Sequence, residues 1–246
     1  MNHAHKKQNG FTLVELSLAM TFISFLLMGI AMTVIQVAAI YNQGTTAKDV
    51  NQLSREINVD IDRNISAAGS LNLLTDYVNS PASATAATAD GGRLCLGSYS
   101  YVWNYAKALE GNTTGVAKYT GNGDVIRLVR VSDPGRAYCI KNPSSGVLVN
   151  KNILAADAGK TQELLKVGDH KLGLHSFVFI TPPISATDSS TKQQIYSLSY
   201  IIGTSRMSAI NPTQTACLAA GLPNADPLYC NIQKFSLVVR TGNGVN

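Results

Sequence analysis

A single carboxylate at the head of a long charge-free run constrains this chain more than any other feature. Glu15 is followed by about thirty residues, Leu16 to Ala47, without a second charge. An ionised side chain in a membrane-length apolar helix costs on the order of 2.5–3.5 kcal/mol on insertion scales, so one that is kept there is expected to serve a function. About twenty apolar residues cross a bilayer, and the stretch from Phe11 to Ile40 is longer than that. Ahead of it, the polar segment Met1 to Gly10 has Lys6 and Lys7 as its only charged residues, which the positive-inside bias assigns to the cytoplasmic side. The chain is expected to be bitopic in a cytoplasmic membrane, with its C-terminal portion outside. An ordinary secretory signal carries its cleavage site after the apolar stretch, whereas here the small residue Gly10 stands before it.

The six residues Gly10-Phe11-Thr12-Leu13-Val14-Glu15 closely resemble the class III signal of type IV prepilins and pseudopilins. The resemblance implies that a membrane peptidase cuts after Gly10, and that the same enzyme methylates the new amino terminus at Phe11. A free α-amine has an unperturbed pKa of about 8 and is largely positive at neutral pH. In the family, a glutamate one helical turn further on meets the terminal amine of a neighbouring subunit. Two charges that are each costly in lipid become tolerable as a pair. Glu15, with Thr12 beside it, is therefore expected to act in assembly and not in catalysis. The implied partners are other pilin subunits, the prepilin peptidase/methyltransferase and an inner-membrane assembly platform. The implied fold is the α+β type IV pilin fold, a long N-terminal helix packed on an antiparallel sheet. The motif covers about 30 residues; the rest of the chain matches only in general layout.

Within the family, the pattern Asp60-x-Asp62-Arg63-Asn64-Ile65 loosely resembles the helix end of PilW- and J-type minor pilins and pseudopilins. Taken alone, it is the solvated face of a helix. With a chain of 246 residues, larger than many major subunits, it tilts the reading to a minor, tip-located pilin in a filament for adhesion, motility or DNA uptake. A major pilin and a type II secretion pseudopilin are the alternatives inside the family, the latter in a periplasm-spanning pseudopilus. A membrane-anchored exported enzyme is the alternative outside it. Many major pilins have a proline in the membrane half of this helix; here none precedes Pro81.

The formal net charge is +5, of which Lys6 and Lys7 would leave with the leader; so mild a basicity does not by itself argue for nucleic acid. The four cysteines, Cys95, Cys139, Cys217 and Cys230, lack C-x-x-C spacing. An even number in an exported domain reads as two disulfides, for which three connectivities are open. The local choice, Cys95–Cys139 and Cys217–Cys230, is favoured, the second bond being worth roughly 3 kcal/mol in the chain-entropy model.

Beyond Ile40, the residues Val50, Leu53, Ile57, Ile61 and Ile65 recur at spacings of three and four, one apolar stripe on a helix. The expected organisation is a cleaved leader over 1–10, a transmembrane or filament-core helix over 11–40 and its amphipathic continuation over 41–78. A linker over 79–92 and a β-rich domain over 93–246 follow. Gly29 and Gly44 are expected bending points and Gly69 the helix stop. Strands are expected over Leu94–Tyr105, Asp124–Val131, Ala137–Lys141, Leu172–Thr181, Ile195–Gly203 and Lys234–Thr241, mostly in hairpin order. Residues 205–231, with Pro212, Pro223, Pro227 and the 217–230 cysteine pair, read as an irregular stapled loop.

The sequence carries no G-x-S-x-G, H-E-x-x-H or P-loop, and His170 and His175 have no partner at metal-ligand spacing. No catalytic residue, metal or cofactor is expected. Loop aspartates such as Asp124, Asp133 and Asp226 leave a calcium site as a minor reading. Tyr99, Tyr101, Trp103 and Tyr105, with Arg127, Arg130 and Arg136 nearby in sequence, could present a stacking platform for single-stranded DNA; the commoner use of such alternation is a buried sheet face.

Overall fold

Thr12 opens a continuous 55-residue helix, α1 (Leu13–Ala67), about 82 Å long at 1.5 Å per residue. The computed structural model describes residues 12–69, 71–80, 89–110, 115–166, 171–180 and 193–242. The leader, with Gly10 and Phe11, and most of the expected linker lie outside these residues. Gly29 and Gly44 do not interrupt α1. From residue 12 to residue 38 every position is exposed. Burial then follows the helical period through Thr46, Val50, Ser54, Ile57, Ile61, Asn64 and Ile65.

The helix ends earlier than residue 78. Ala68 is extended and its N–H closes the last turn on the carbonyls of Asn64 and Ile65, so Gly69 is not a left-handed cap. Asn72 then caps a single turn, α2 (Leu73–Asp76), and the chain enters β1 (Tyr77–Ser80). The Asp76 carboxylate fixes this bend by accepting from the Asn72 N–H at 2.8 Å and pairing with Arg136.

Two antiparallel sheets follow, where the sequence led us to expect one. The first has the order β1-β2-β3-β4-β5, adding β2 (Gly91–Cys95), β3 (Tyr99–Asn104), β4 (Leu128–Ser132) and β5 (Thr161–Leu165). The second has the order β6-β7-β8, from β6 (Leu172–Ile180), β7 (Ile195–Thr204) and β8 (Ile232–Arg240). A parallel bridge between Tyr105 and Leu174 joins them. A short helix, α3 (Ala106–Glu110), leaves β3.

The expected strand over 94–105 is a hairpin. Leu96 and Tyr99 exchange both backbone hydrogen bonds around Gly97-Ser98, so the chain reverses there. The strand expected over 124–131 forms only from Leu128. The hairpin expected at 137–141 is replaced by turns, because the Asp133 carboxylate accepts from the Ala137 and Tyr138 N–H groups and the Ser100 hydroxyl. Cys139 is then drawn to Cys95.

Both faces of the first sheet are covered, which is why β2 is buried at every position. Trp103, Tyr101 and Leu94 join Ile57, Ile61, Phe177 and Tyr200 under the helix, while Cys95, Val102, Val129, Val131 and Tyr138 form a second cluster on the opposite face. Arg93 is fully buried on β2 and donates to the Gly92 and Lys151 carbonyls at 2.7 Å each. Burial pulls its guanidinium down to about 10, so it still carries charge at neutral pH. The cysteines pair as Cys95–Cys139 and Cys217–Cys230, the local connectivity.

Candidate membrane and assembly segment

The first turn of α1 is organised by Thr12 and Glu15. The Thr12 hydroxyl accepts from the Glu15 N–H at 3.3 Å; the Thr12 N–H and hydroxyl both donate to Glu15 Oε2, at 2.9 and 2.8 Å. This is a reciprocal capping box, which satisfies orphan donors at the helix start. The carboxylate is thereby held at the positive end of the helix dipole. Oε1 receives no hydrogen bond from the described residues, so one oxygen is left for a donor from elsewhere. The T-x-x-E spacing was visible in the sequence and gives Thr12 a definite job: it sets where the Glu15 carboxylate stands.

From Leu13 to Tyr41 every large apolar side chain is at least 50% exposed. A surface of that length is far larger than a monomer leaves to water. The helix is long and apolar enough to cross a membrane. Its hydroxyls suit a lipid setting: Ser17, Thr21, Ser24 and Thr33 donate back to the carbonyls of Val14, Ser17, Met20 and Ile30 at 2.7–2.9 Å. Each of these four hydroxyl hydrogens is thus satisfied within the helix, as hydrocarbon requires.

The second half of α1 is anchored by polar contacts that the periodicity did not predict. Tyr101 of β3 donates to Asp60 at 2.8 Å and accepts from Asn64 at 2.8 Å; Arg130 of β4 pairs with Asp60. Tyr200 of β7 donates to Asn58 at 2.6 Å. Of the 60–65 pattern, Asp62 and Arg63 are solvated, whereas Asp60 and Asn64 turn inward. Burial and the neighbouring carboxylate push the Tyr101 phenol well above its usual range.

Tyr101, Trp103 and Tyr105 are buried in the core, so they offer no platform to a base. Tyr99 lies under the Arg130 guanidinium, 4.8 Å away. Arg127 and Arg136 are engaged with the Leu172 carbonyl and Asp76. His175 is buried against the Thr204 carbonyl, and His170 lies outside the described residues. A groove of about 1110 Å³ runs between α1 and β5, bordered by Asp49, Glu56, Asp124, Glu163 and Lys166. Among the described residues, no three His, Cys, Asp or Glu side chains gather as a metal site.

Two ends of one helix therefore carry different chemistry, an unpartnered apolar rod headed by a positioned carboxylate and a polar-locked stripe on the sheets. No family profile, no curated protein and no solved structure matches the chain.

Proposed function

We propose that this chain is a prepilin-type filament subunit, a minor pilin that is processed after Gly10, stored in the membrane and assembled into a type IV pilus. The observation that carries the reading is Glu15 held by Thr12 at the head of a helix whose first-half apolar side chains are left exposed by the described residues. In a bilayer that carboxylate is costly. In a bundle of subunits its free oxygen can take the positive amine of a neighbour's Phe11, so association relieves the cost of both charges. The apolar rods then bury against one another and the β-domains lie outside. The signal motif and the two disulfides of the distal domain agree with that route.

The test is mass spectrometry of sheared surface filaments. A methylated N-terminus at Phe11, present at trace level, is the expected result. The same terminus in abundance makes the chain a major pilin; processed protein confined to the membrane makes it a pseudopilin; unprocessed protein everywhere overturns the reading. Glu15→Ala is expected to be processed and membrane-held yet poorly incorporated, and normal incorporation would remove the assembly role.

A further inference from the structure

The loop between β7 and β8, residues 205–231, folds back onto α1 where the apolar run ends. The Gln43 amide donates to the Pro227 carbonyl, and the Asn42 amide donates to the Tyr229 hydroxyl at 3.3 Å. At this height Ala39 and Asn42 are the first helix positions to lose exposure. The loop overlaps the last turn of the apolar stretch, which runs through Ile40 and Tyr41.

Its surface is unlike the rest of the domain. No charged residue occurs from Met207 to Ala225. The two charges at its base, Arg206 and Asp226, face each other at 3.9 Å. Leu222 is 52% exposed, Leu228 37% and Tyr229 42%, and the Cys217–Cys230 bond holds them as one lip.

The length of α1 says what meets this lip. Leu13 to Ile40 spans about 42 Å as a helix, against a hydrocarbon core of about 30 Å. The excess is absorbed by tilt, of about 44° if tilt alone absorbs it. A tilted helix lowers one side of the outer domain towards the bilayer. The loop, whose only charges are the Arg206–Asp226 pair and which carries apolar and tyrosine side chains, is suited to the headgroup region, where Tyr is enriched. We infer that the 217–230 loop docks on the outer lipid surface of the membrane that α1 crosses, fixing the tilt of the stored subunit. The inference rests on the membrane reading of α1.

The test uses the full chain in vesicles of phosphatidylethanolamine and phosphatidylglycerol, with bromine placed either near the headgroup or deep in the acyl chain. Leu222→Trp and Tyr229→Trp report the loop, Met28→Trp reports the middle of the span, and buried Trp103 is the common background. The expected result is loss of loop emission with shallow bromine and of Met28→Trp emission with deep bromine. Adding Leu222→Glu to Tyr229→Trp should abolish the loop quenching while Trp103 emission, which reports the fold, stays unchanged. If only Met28→Trp is quenched, the docking is wrong and the membrane reading survives. If Met28→Trp is not quenched, the membrane reading fails and the docking with it. A loop indole that shifts to the blue with rising protein-to-lipid ratio, without quenching, assigns the lip to a second copy of the chain and also overturns the docking.

Discussion

Asp60→Ala tests whether the helix is locked to the sheets by polar contacts or merely rests on them through its isoleucines. The substitution removes the carboxylate that accepts from Tyr101 at 2.8 Å and pairs with Arg130. A hydrogen bond to a charged group contributes about 1.5–3 kcal/mol. The ion pair lies between the surface limit of about 0–1 kcal/mol and the 3–5 kcal/mol lost on breaking a buried pair, since its side chains are 20% and 14% exposed. Part of the loss is cushioned. Tyr101 keeps the Asp60 carbonyl at 3.2 Å, and Arg130 keeps Gln162 and the Tyr99 ring. The net expectation is about 3 kcal/mol, or about 6–12 °C in Tm for a domain of this size. The assay is thermal unfolding of the full chain in detergent micelles, followed by Trp103 emission. Tyr101→Phe removes one side of the same bond, so the double variant should lose less than the sum of the singles, with a coupling of about 1–2 kcal/mol. A change of less than about 0.5 kcal/mol for Asp60→Ala, the range of ordinary surface substitutions, would refute the lock and leave the apolar stripe as the whole attachment.

Three further outcomes follow from individual sites. Gly92→Ala would place a Cβ 2.4 Å from Trp103 Cζ2; overpacking of this kind costs about 1–3 kcal/mol and should also shift Trp103 emission, so an unchanged spectrum and Tm would contradict the contact. Replacing Cys217 and Cys230 with serine opens a short loop worth about 3 kcal/mol in the chain-entropy model, and should speed proteolysis within 205–231 while Trp103 emission is retained; unchanged cleavage would show that the loop holds without its staple. His175 is pulled below its ordinary 6.5 by burial, with Glu110 acting weakly the other way. The unfolded chain therefore binds more protons just below about pH 6.5, and stability falls as pH drops through that region, by at most about 1.4 kcal/mol per pH unit. His175→Gln should flatten the dependence of Tm on pH, and an identical slope would remove this residue as its source.

What was legible in the sequence was local. The stripe Val50, Ile57, Ile61, Ile65 repeats at the helical period and is buried as read. The strands from Leu172, Ile195 and Lys234 alternate strongly and form within two residues of their expected bounds. The cysteines paired with their chain neighbours. What failed was decided at a distance. Asp60 and Asn64 look like solvent-facing residues until Tyr101, on a strand about forty residues later, supplies partners for both. The 137–141 strand was lost because Asp133 captured the backbone amides the ladder would have used. β5 was hidden because Gln162 and Glu163 interrupt its alternation with exposed polar residues. The capping role of Thr12 is a different case: its T-x-x-E spacing to Glu15 ahead of an apolar run is local and readable as a capping box.

A single helix passes between two environments without a break, and the reason lies in how each half satisfies its polar groups. In the first half the hydroxyls of Ser17, Thr21, Ser24 and Thr33 bond the helix's own carbonyls, so none of these four needs water. In the second half Asn58, Asp60 and Asn64 send their side chains outward to the tyrosines of β3 and β7, so the helix and domain cannot separate without losing charged and neutral hydrogen bonds together. The exposed glycines Gly29 and Gly44 weaken the helix by roughly 1 kcal/mol each relative to alanine, but they differ in support: Gly44 lies where the attachment begins and Gly29 lies well before it. The loop at 205–231 meets the helix at Asn42 and Gln43, just ahead of Gly44, and braces the junction from outside. On the proposed reading, any bending of α1 on transfer from bilayer to filament is therefore expected below that brace, at Gly29, where none of the described residues of the domain reaches the helix.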